Sequence, residues 1–349
     1  MIHRKLKEGQ HIYKAPEASK KARPRRRTAK RVALCVGTVL ASVLIFFFSA
    51  LAMVSYGPSP AARDLFVVSV METSAAKFLA HMYFSDEEVE QIIADNALVE
   101  TDEVTDGTLV EIPGEENSEF DRDALEIVDV KGPTFKGKML IVNDPSRVYV
   151  GTPDAFGPDI PGMRVSEMME RDGAVAGVNA GGFADEGGVG LGGQPLGIVI
   201  KNGELIAGGR QTASTVIGFD RQDRLIVGNM TGGEALDLDM RDAVSFGPVL
   251  VLNGEPAQVS GTGGGLNPRT AIGQRKDGAV LILVVDGRQA HSIGATFQDL
   301  VNVMMDFGAI NAANLDGGSS SLMMYQGELI TTCASLYGPR KLPTAILVR

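Results

Sequence analysis

"AIGQRKDGAVLILVVDG", Ala271 to Gly287, sets two apolar runs on either side of Asp277-Gly278. An Asp-Gly pair between apolar runs is a strong hairpin signal, because such turns need positive φ. The pattern recurs. "LGIVIKNGELIAGG" turns at Asn202-Gly203, "VIGFDRQDRLIVG" at Asp220 to Asp223, "GPVLVLNGEPAQV" at Asn253-Gly254 and "SLMMYQGELI" at Gln326-Gly327. Five such units predict largely antiparallel sheet. Two helical patterns interrupt them. "TFQDLVNVMMDFG" puts Phe297, Leu300, Val301, Met304 and Met305 on one helix face, with Thr296 as N-cap and Gly308 as stop. "VSEMMERDG", Val165 to Gly173, is shorter and ends the same way. The fold class expected is α+β: antiparallel sheet of repeated hairpins with packed helices.

These elements echo one another. "MLIVND", a helix, "GAVAGVNAGG" and a hairpin are followed later by "LILVVD", a helix, "GAINAANLDGG" and a hairpin. An internal duplication would bring the loops after Asn179 and Asn314 together in one cleft.

Outward from the hairpins the texture changes. Thr101 to Asp123 is dense in Asp and Glu and reads as a solvated linker. Ala61 to Tyr83 reads as helix, and "SDEEVEQII" opens with Ser85 and Glu88 in capping-box spacing. Val32 to Tyr56 is 25 residues without a charge. At ~1.5 Å per residue it can cross a ~30 Å hydrocarbon core with some tilt. It is long for the apolar part of a cleaved signal peptide, roughly 7–15 residues. Met1 to Arg31 carries twelve Lys or Arg against two Glu, although the whole chain has a net charge of -10. That flank is expected in the cytoplasm, near anionic headgroups, with everything after Tyr56 outside the cell. The expected organisation is a basic tail (1–31), a transmembrane helix (32–56), a helical stalk and acidic linker (57–125) and a hairpin domain (126–349). The acidic balance beyond the tail argues against nucleic acid as a partner. Cys35 lies in the span and Cys333 in the exported part, so no disulfide between them is expected.

Several motifs carry nothing. "GVGLGG", Gly188 to Gly193, fits the dinucleotide pattern but precedes a strand instead of opening a helix. No Walker A or G-x-S-x-G sequence occurs, and His291 is the one histidine of the hairpin domain, which excludes a histidine-built zinc site. Four polar stretches remain at strand ends: "VNAGGF", "NPRTAIG", "VVDGRQAHS" and "NLDGGSSS".

The run from Asn267 to Met324, with "NPRTAIG", "DGR" and "NLDGGSS" in that order, resembles the phosphodiester glycosidase family. The resemblance covers roughly Ile127 to Arg349. Ser319 stands where many relatives have a third glycine, and "GPRKLP" where many have an Arg-Pro pair, so a role for Arg340 does not carry over. The resemblance implies hydrolysis of a sugar-1-phosphate diester at the anomeric carbon, in a cell-envelope glycan or exopolysaccharide. It casts Asp286 and Asp316 as the catalytic carboxylates. Arg269 and Arg288 would hold the phosphate, and glycine N–H groups at Gly181, Gly182, Gly317 and Gly318 would approach it. Asn179 and Asn314 would bind sugar, the Ser319 and Ser320 hydroxyls would bind the substrate's phosphate, and His291 would shuttle a proton.

Two other readings stay open. A non-catalytic envelope protein binding phosphoglycans during assembly would need the arginines but neither aspartate. A different hydrolase would use Ser319, Ser320 or Cys333 as nucleophile with His291 as base. No cofactor is expected; a divalent cation at Asp185 and Glu186 is the one metal reading the residues leave open.

Overall fold

The computed structural model describes residues 25–73, 76–99, 101–112, 121–185 and 190–349. The basic tail before residue 25, part of the acidic linker, Glu186 and the start of the "GVGLGG" stretch lie outside these. Helix α1 (Arg25–Tyr56) includes 29 residues, Thr28–Tyr56, long and apolar enough to cross a membrane. Residues Val54–Arg349 form a separate compact unit.

That unit opens with helices. α2 (Pro60–Met71) starts at Ser59, whose hydroxyl accepts the Ala62 N–H. Pro60 fits the first turn, where no N–H is needed. α3 (Phe78–His81) and α4 (Asp86–Asp95) follow, so the helix expected over Ala61 to Tyr83 is broken after Met71. The capping box forms as expected, with Ser85 and Glu88 exchanging backbone and side-chain bonds. Val67, Val68, Ala80, Val89 and Ile92 make a small core between the helices. This segment packs on the sheets. A Cβ on Gly265 would stand 2.5 Å from Ser69 Cα, so the two backbones touch. Leu266 N–H donates to Ser69 Oγ at 2.9 Å. Further on, Val99 N–H donates to Gln258 O and Thr105 N–H to Val227 O. Helices with an apolar stripe bury it where a partner surface exists.

Three sheets follow, antiparallel throughout. The first runs, in spatial order, Leu125–Lys131, Lys136–Val142, Val280–Val285, Arg269–Arg275, Ala309–Leu315, Val249–Leu252, Glu255–Pro256. The second runs Glu328–Leu329, Met323–Tyr325, Ala176–Asn179, Ala345–Val348, Val148–Gly151. The third runs Glu204–Ala207, Val199–Lys201, Met240–Ser245, Ala213–Asp220, Leu225–Thr231. All five expected hairpins are present. At Asn202-Gly203, Asn253-Gly254 and Gln326-Gly327 both turn residues have positive φ, between 50° and 86°. Such turns match the twist of the strands they join.

Three further helices pack on the sheets: α5 (Val165–Asp172), α6 (Gly232–Asp237) and α7 (Phe297–Asp306). α7 is capped by reciprocal bonds between Thr296 and Asp299 and ends before Gly308 at φ 80°. It buries Leu300, Val301, Val303 and Met304, while Met305, expected on the same face, is exposed. The strand Val280–Val285 is buried at every residue. Val280, Ile282 and Val284 face a core shared by the three sheets, and Leu281, Leu283 and Val285 face α7. Covered on both faces, such a strand reads as one apolar run without alternation.

This packing gathers the polar stretches. Arg269 pairs with Val285 and Thr270 with Leu315, so "NPR", "VVD" and "NLD" leave the first sheet at one end. The loop after Asn179 arrives from the second sheet, and Asp316 N–H donates to Ala180 O at 2.8 Å. The two echo loops therefore meet. Their strands lie in different sheets, so the echo does not extend to equivalent sheet positions.

Candidate active site

A cavity of about 460 Å³ opens where these loops meet. Asp316, Asn314, Arg269, Arg288, Gly317, Gly318, Ser319 and Ser320 line it, as expected for one site. Glu72, Phe183, Asp185, Phe246, Asn267, Phe297 and Arg340 join them.

Asp316 ends the strand Ala309–Leu315. Its Oδ1 accepts the Gly317 N–H at 2.9 Å. Its Oδ2 is buried without a hydrogen-bond partner. Burial pushes this carboxyl up to about 6, against the opposing pull of Ser320, the Gly317 amide and Arg340. Two residues earlier, Asn314 donates to Gly247 O at 2.8 Å, while its Oδ1 is also buried without a partner. Unpaired buried acceptors are costly, and two beside a cavity mark a place for a ligand's hydroxyl donors.

Three guanidinium groups surround these acceptors. Arg269 is buried, stacks over Phe297 at 4.0 Å, and donates to Gly265 O and Ala295 O. Its Nη2 lies 2.6 Å from Glu72 Oε2. Burial lowers its pKa and Glu72 opposes the shift. Arg288 sits at φ 57° and donates to Asn267 Oδ1 at 2.9 Å. Burial lowers its pKa too, Arg269 adds to that, and Glu72 opposes it. A Cβ on Gly318 would stand 3.3 Å from the Arg288 guanidinium, so a glycine there leaves the fork room. Arg340 pairs with Asp185 at 2.7 Å, reaches Ser319 Oγ at 3.4 Å and lies over Phe183. The hydrogen bond from Arg340 holds the Asp185 carboxyl below its usual range.

Other expected residues sit elsewhere. Asp286 is not in the cavity wall. Its Oδ1 accepts the Thr332 N–H at 2.7 Å and its Oδ2 lies 3.3 Å from His291 Nε2. His291 is exposed and lines a different hollow with Phe135 and Lys136. Asn179 is wholly buried and joins loops: it donates to Asp316 O and accepts from Thr270 Oγ1 and the Leu322 N–H. The glycine amides are committed within the protein. Gly181 N–H donates to Thr344 Oγ1, Gly182 to Ser245 O, Gly317 to Asp316 Oδ1 and Gly318 to Pro268 O. Cys333 stands outside the cavity wall with Sγ 4.0 Å from Ser319 O. Asp185, half of the open cation reading, is ion-paired with Arg340. The residues that sequence reasoning missed are Glu72, the aromatic walls and Arg340. "VMETS" around Glu72 carries no signal beyond a polar helix end.

Residues 172–349 match the family model of phosphodiester glycosidases. The chain is 34% identical over 202 residues to the SPbeta prophage-derived uncharacterized protein YomE of Bacillus subtilis, covering 54% of this chain and 29% of that one. It is 28% identical over 185 residues to the N-acetylglucosamine-1-phosphodiester alpha-N-acetylglucosaminidase of Bos taurus, covering 47% and 34%. The chain thus spans about a third of the length of these relatives. The zebrafish catalytic domain of the same name, auto-inhibited by its pro-peptide, shares the fold with a TM-score of 0.54 and 22% identity, over 71% of this chain and 87% of that one.

Proposed function

This chain belongs to the phosphodiester glycosidase family, and on that premise we propose that it hydrolyses a sugar-1-phosphate diester at the anomeric carbon. The observation that carries the reading is Asp316: a buried carboxyl with one unpaired oxygen, in a cavity walled by three guanidinium groups. The phosphodiester oxygens lie against Arg269 and Arg288, whose planar forks suit them. Asn314 Oδ1 accepts a sugar hydroxyl. Above pH 6 the ionised Asp316 faces the positive charge that develops at the anomeric carbon. Water supplies the new hydroxyl, the bond from carbon to the bridging oxygen breaks, and a phosphomonoester leaves. That leaving group is stable as an anion, so a strong general acid is not required. Asp286 then serves as the anchor of its loop, tying it to Thr332.

Glu72 occupies part of the phosphate seat. Like the zebrafish domain auto-inhibited by its pro-peptide, the chain holds its own upstream segment at the cavity. Substrate phosphate takes over Arg269 from the Glu72 carboxylate. α1 anchors the enzyme in the membrane with the cavity outside the cell, where envelope glycans and exopolysaccharides carry such linkages.

The test is sugar release by the full chain in detergent from a panel of sugar-1-phosphodiesters, including UDP-N-acetylglucosamine. Release by the parent and loss in Asp316→Asn is the expected result. Phosphoglycan binding without release, unchanged in Asp316→Asn, would sink the enzymatic reading in favour of an assembly protein.

A further inference from the structure

The cavity at Asp316 does not end there. A second hollow of about 480 Å³ shares Glu72, Phe246, Gly247 and Phe297 with it. A third, of about 390 Å³, shares Leu98, Thr215 and Pro248 with the second. The shared walls make one continuous groove. It leaves the site on the side of Arg269, since Glu72 pairs with that guanidinium and Phe297 stacks on it. Its outer wall is α2, the end of α4 and the residues Leu98, Val99, Thr101 and Glu103. That wall lies upstream of residues 172–349, the part that matches the family.

We propose that this groove binds the neutral glycan that continues beyond the phosphate, several sugar units on the leaving-group side. The inference rests on the glycosidase reading and names the class of aglycone. Among the described residues no Lys, Arg or His lines either outer hollow, whereas Glu72, Glu103 and Glu255 are present. A polymer with a phosphate on every unit would set anions against these carboxylates, which like-charge repulsion disfavours. The lining alternates apolar surface with uncharged polar groups. Val68, Leu98, Pro248 and Leu252 offer flat contact, and Thr215, Asn229 and Gln258 offer hydrogen bonds. Thr215 Oγ1 donates to Asn229 Oδ1 at 2.8 Å. That bond turns the Asn229 amide nitrogen free, and the Gln258 side chain likewise has no hydrogen-bond partner among the described residues. A sugar ring has the matching faces, C–H patches and rims of hydroxyls. A prenyl chain would leave those amides buried and unpaired.

The experiment uses the full chain in detergent and a panel of neutral oligosaccharides of two to six units, with binding followed by calorimetry. Two variants act in different ways. Thr215→Phe fills the neck between the outer hollows. The double variant Asn229→Ala with Gln258→Ala removes one half-buried and one exposed amide without adding bulk. Affinity rising with chain length, and falling at least tenfold in both variants, is the expected result. No oligosaccharide binding, or binding indifferent to both variants, would overturn the proposal. So would variants that weaken a prenyl phosphate and leave oligosaccharides untouched. Binding needs no turnover. A chain that binds glycan in the groove yet releases no sugar would therefore overturn the hydrolytic reading and leave the groove standing.

Discussion

Two loops leave the same end of the first sheet, and their sequences look alike: "VVDGR" around Asp286 and "NLDGG" around Asp316. Each sets an aspartate after an apolar strand and before glycine. In the fold they part company. Asp286 has both oxygens engaged, by the Thr332 amide and His291. Asp316 keeps one buried oxygen unpaired beside a cavity. The difference lies in what docks on each loop. The Asp316 loop meets the loop after Asn179 from a second sheet, and the Asp316 Oδ2 atom is buried there. Local motif sets which residue is present, and tertiary packing sets whether it can do chemistry.

The largest effect expected is on turnover. Asp316→Asn should lower kcat/KM by about 10³-fold or more, a loss above ~4 kcal/mol of transition-state stabilisation. Asp286→Asn keeps an oxygen for Thr332 and should cost less than about tenfold. Steady-state kinetics on both variants decides the comparison; equal losses would erase it. Next comes the partner that makes the Asp316 side of the sheet ionic. Arg269→Met leaves Glu72 without its cation and should destabilise the fold by about 3–5 kcal/mol in urea unfolding.

A smaller effect has the opposite sign. The folded pKa of Asp316 is raised to about 6 from 3.8. The stability this group contributes is therefore fully present below pH 3.8 and is lost as pH rises through about 6. At pH 7.5 the buried carboxylate costs about 3 kcal/mol. Asp316→Asn should raise Tm at pH 7.5, by about half as much at pH 5, and leave it nearly unchanged below pH 3.8. The smallest effect concerns the shared seat. Glu72→Gln should lower KM for an anionic substrate several-fold, with kcat less affected, because a neutral side chain competes less for Arg269.

Much of the fold was legible because hairpins are local. Asn202-Gly203, Asn253-Gly254 and Gln326-Gly327 declare their turns within a few residues. α7 declares its start at Thr296 and its end near Gly308, although its face is rotated enough to bury Val303 and expose Met305. The meeting of the Asn179 and Asn314 loops was legible through the echo. What was not legible depends on long-range docking. Glu72 enters the cavity because Ser69 packs on the backbone of Gly265, a contact 196 positions apart with no local signature. The same holds for glycine amides that look free in the chain and are taken up by Thr344, Ser245 and Pro268. Arg340 pairs with Asp185 across 155 positions, so neither motif alone marks the pair.

One buried side chain ties these contacts to time as well as to place. Asn179 holds Thr270 of the first sheet, Leu322 beside the second, and the carbonyl of Asp316 at once. None of those bonds can form before both sheets have docked. A nascent or refolding chain therefore has no partly assembled intermediate able to act on a glycan, and enzymatic activity should reappear only with the final docking step. The site would report on its own maturation: a chain that works is one that has finished folding.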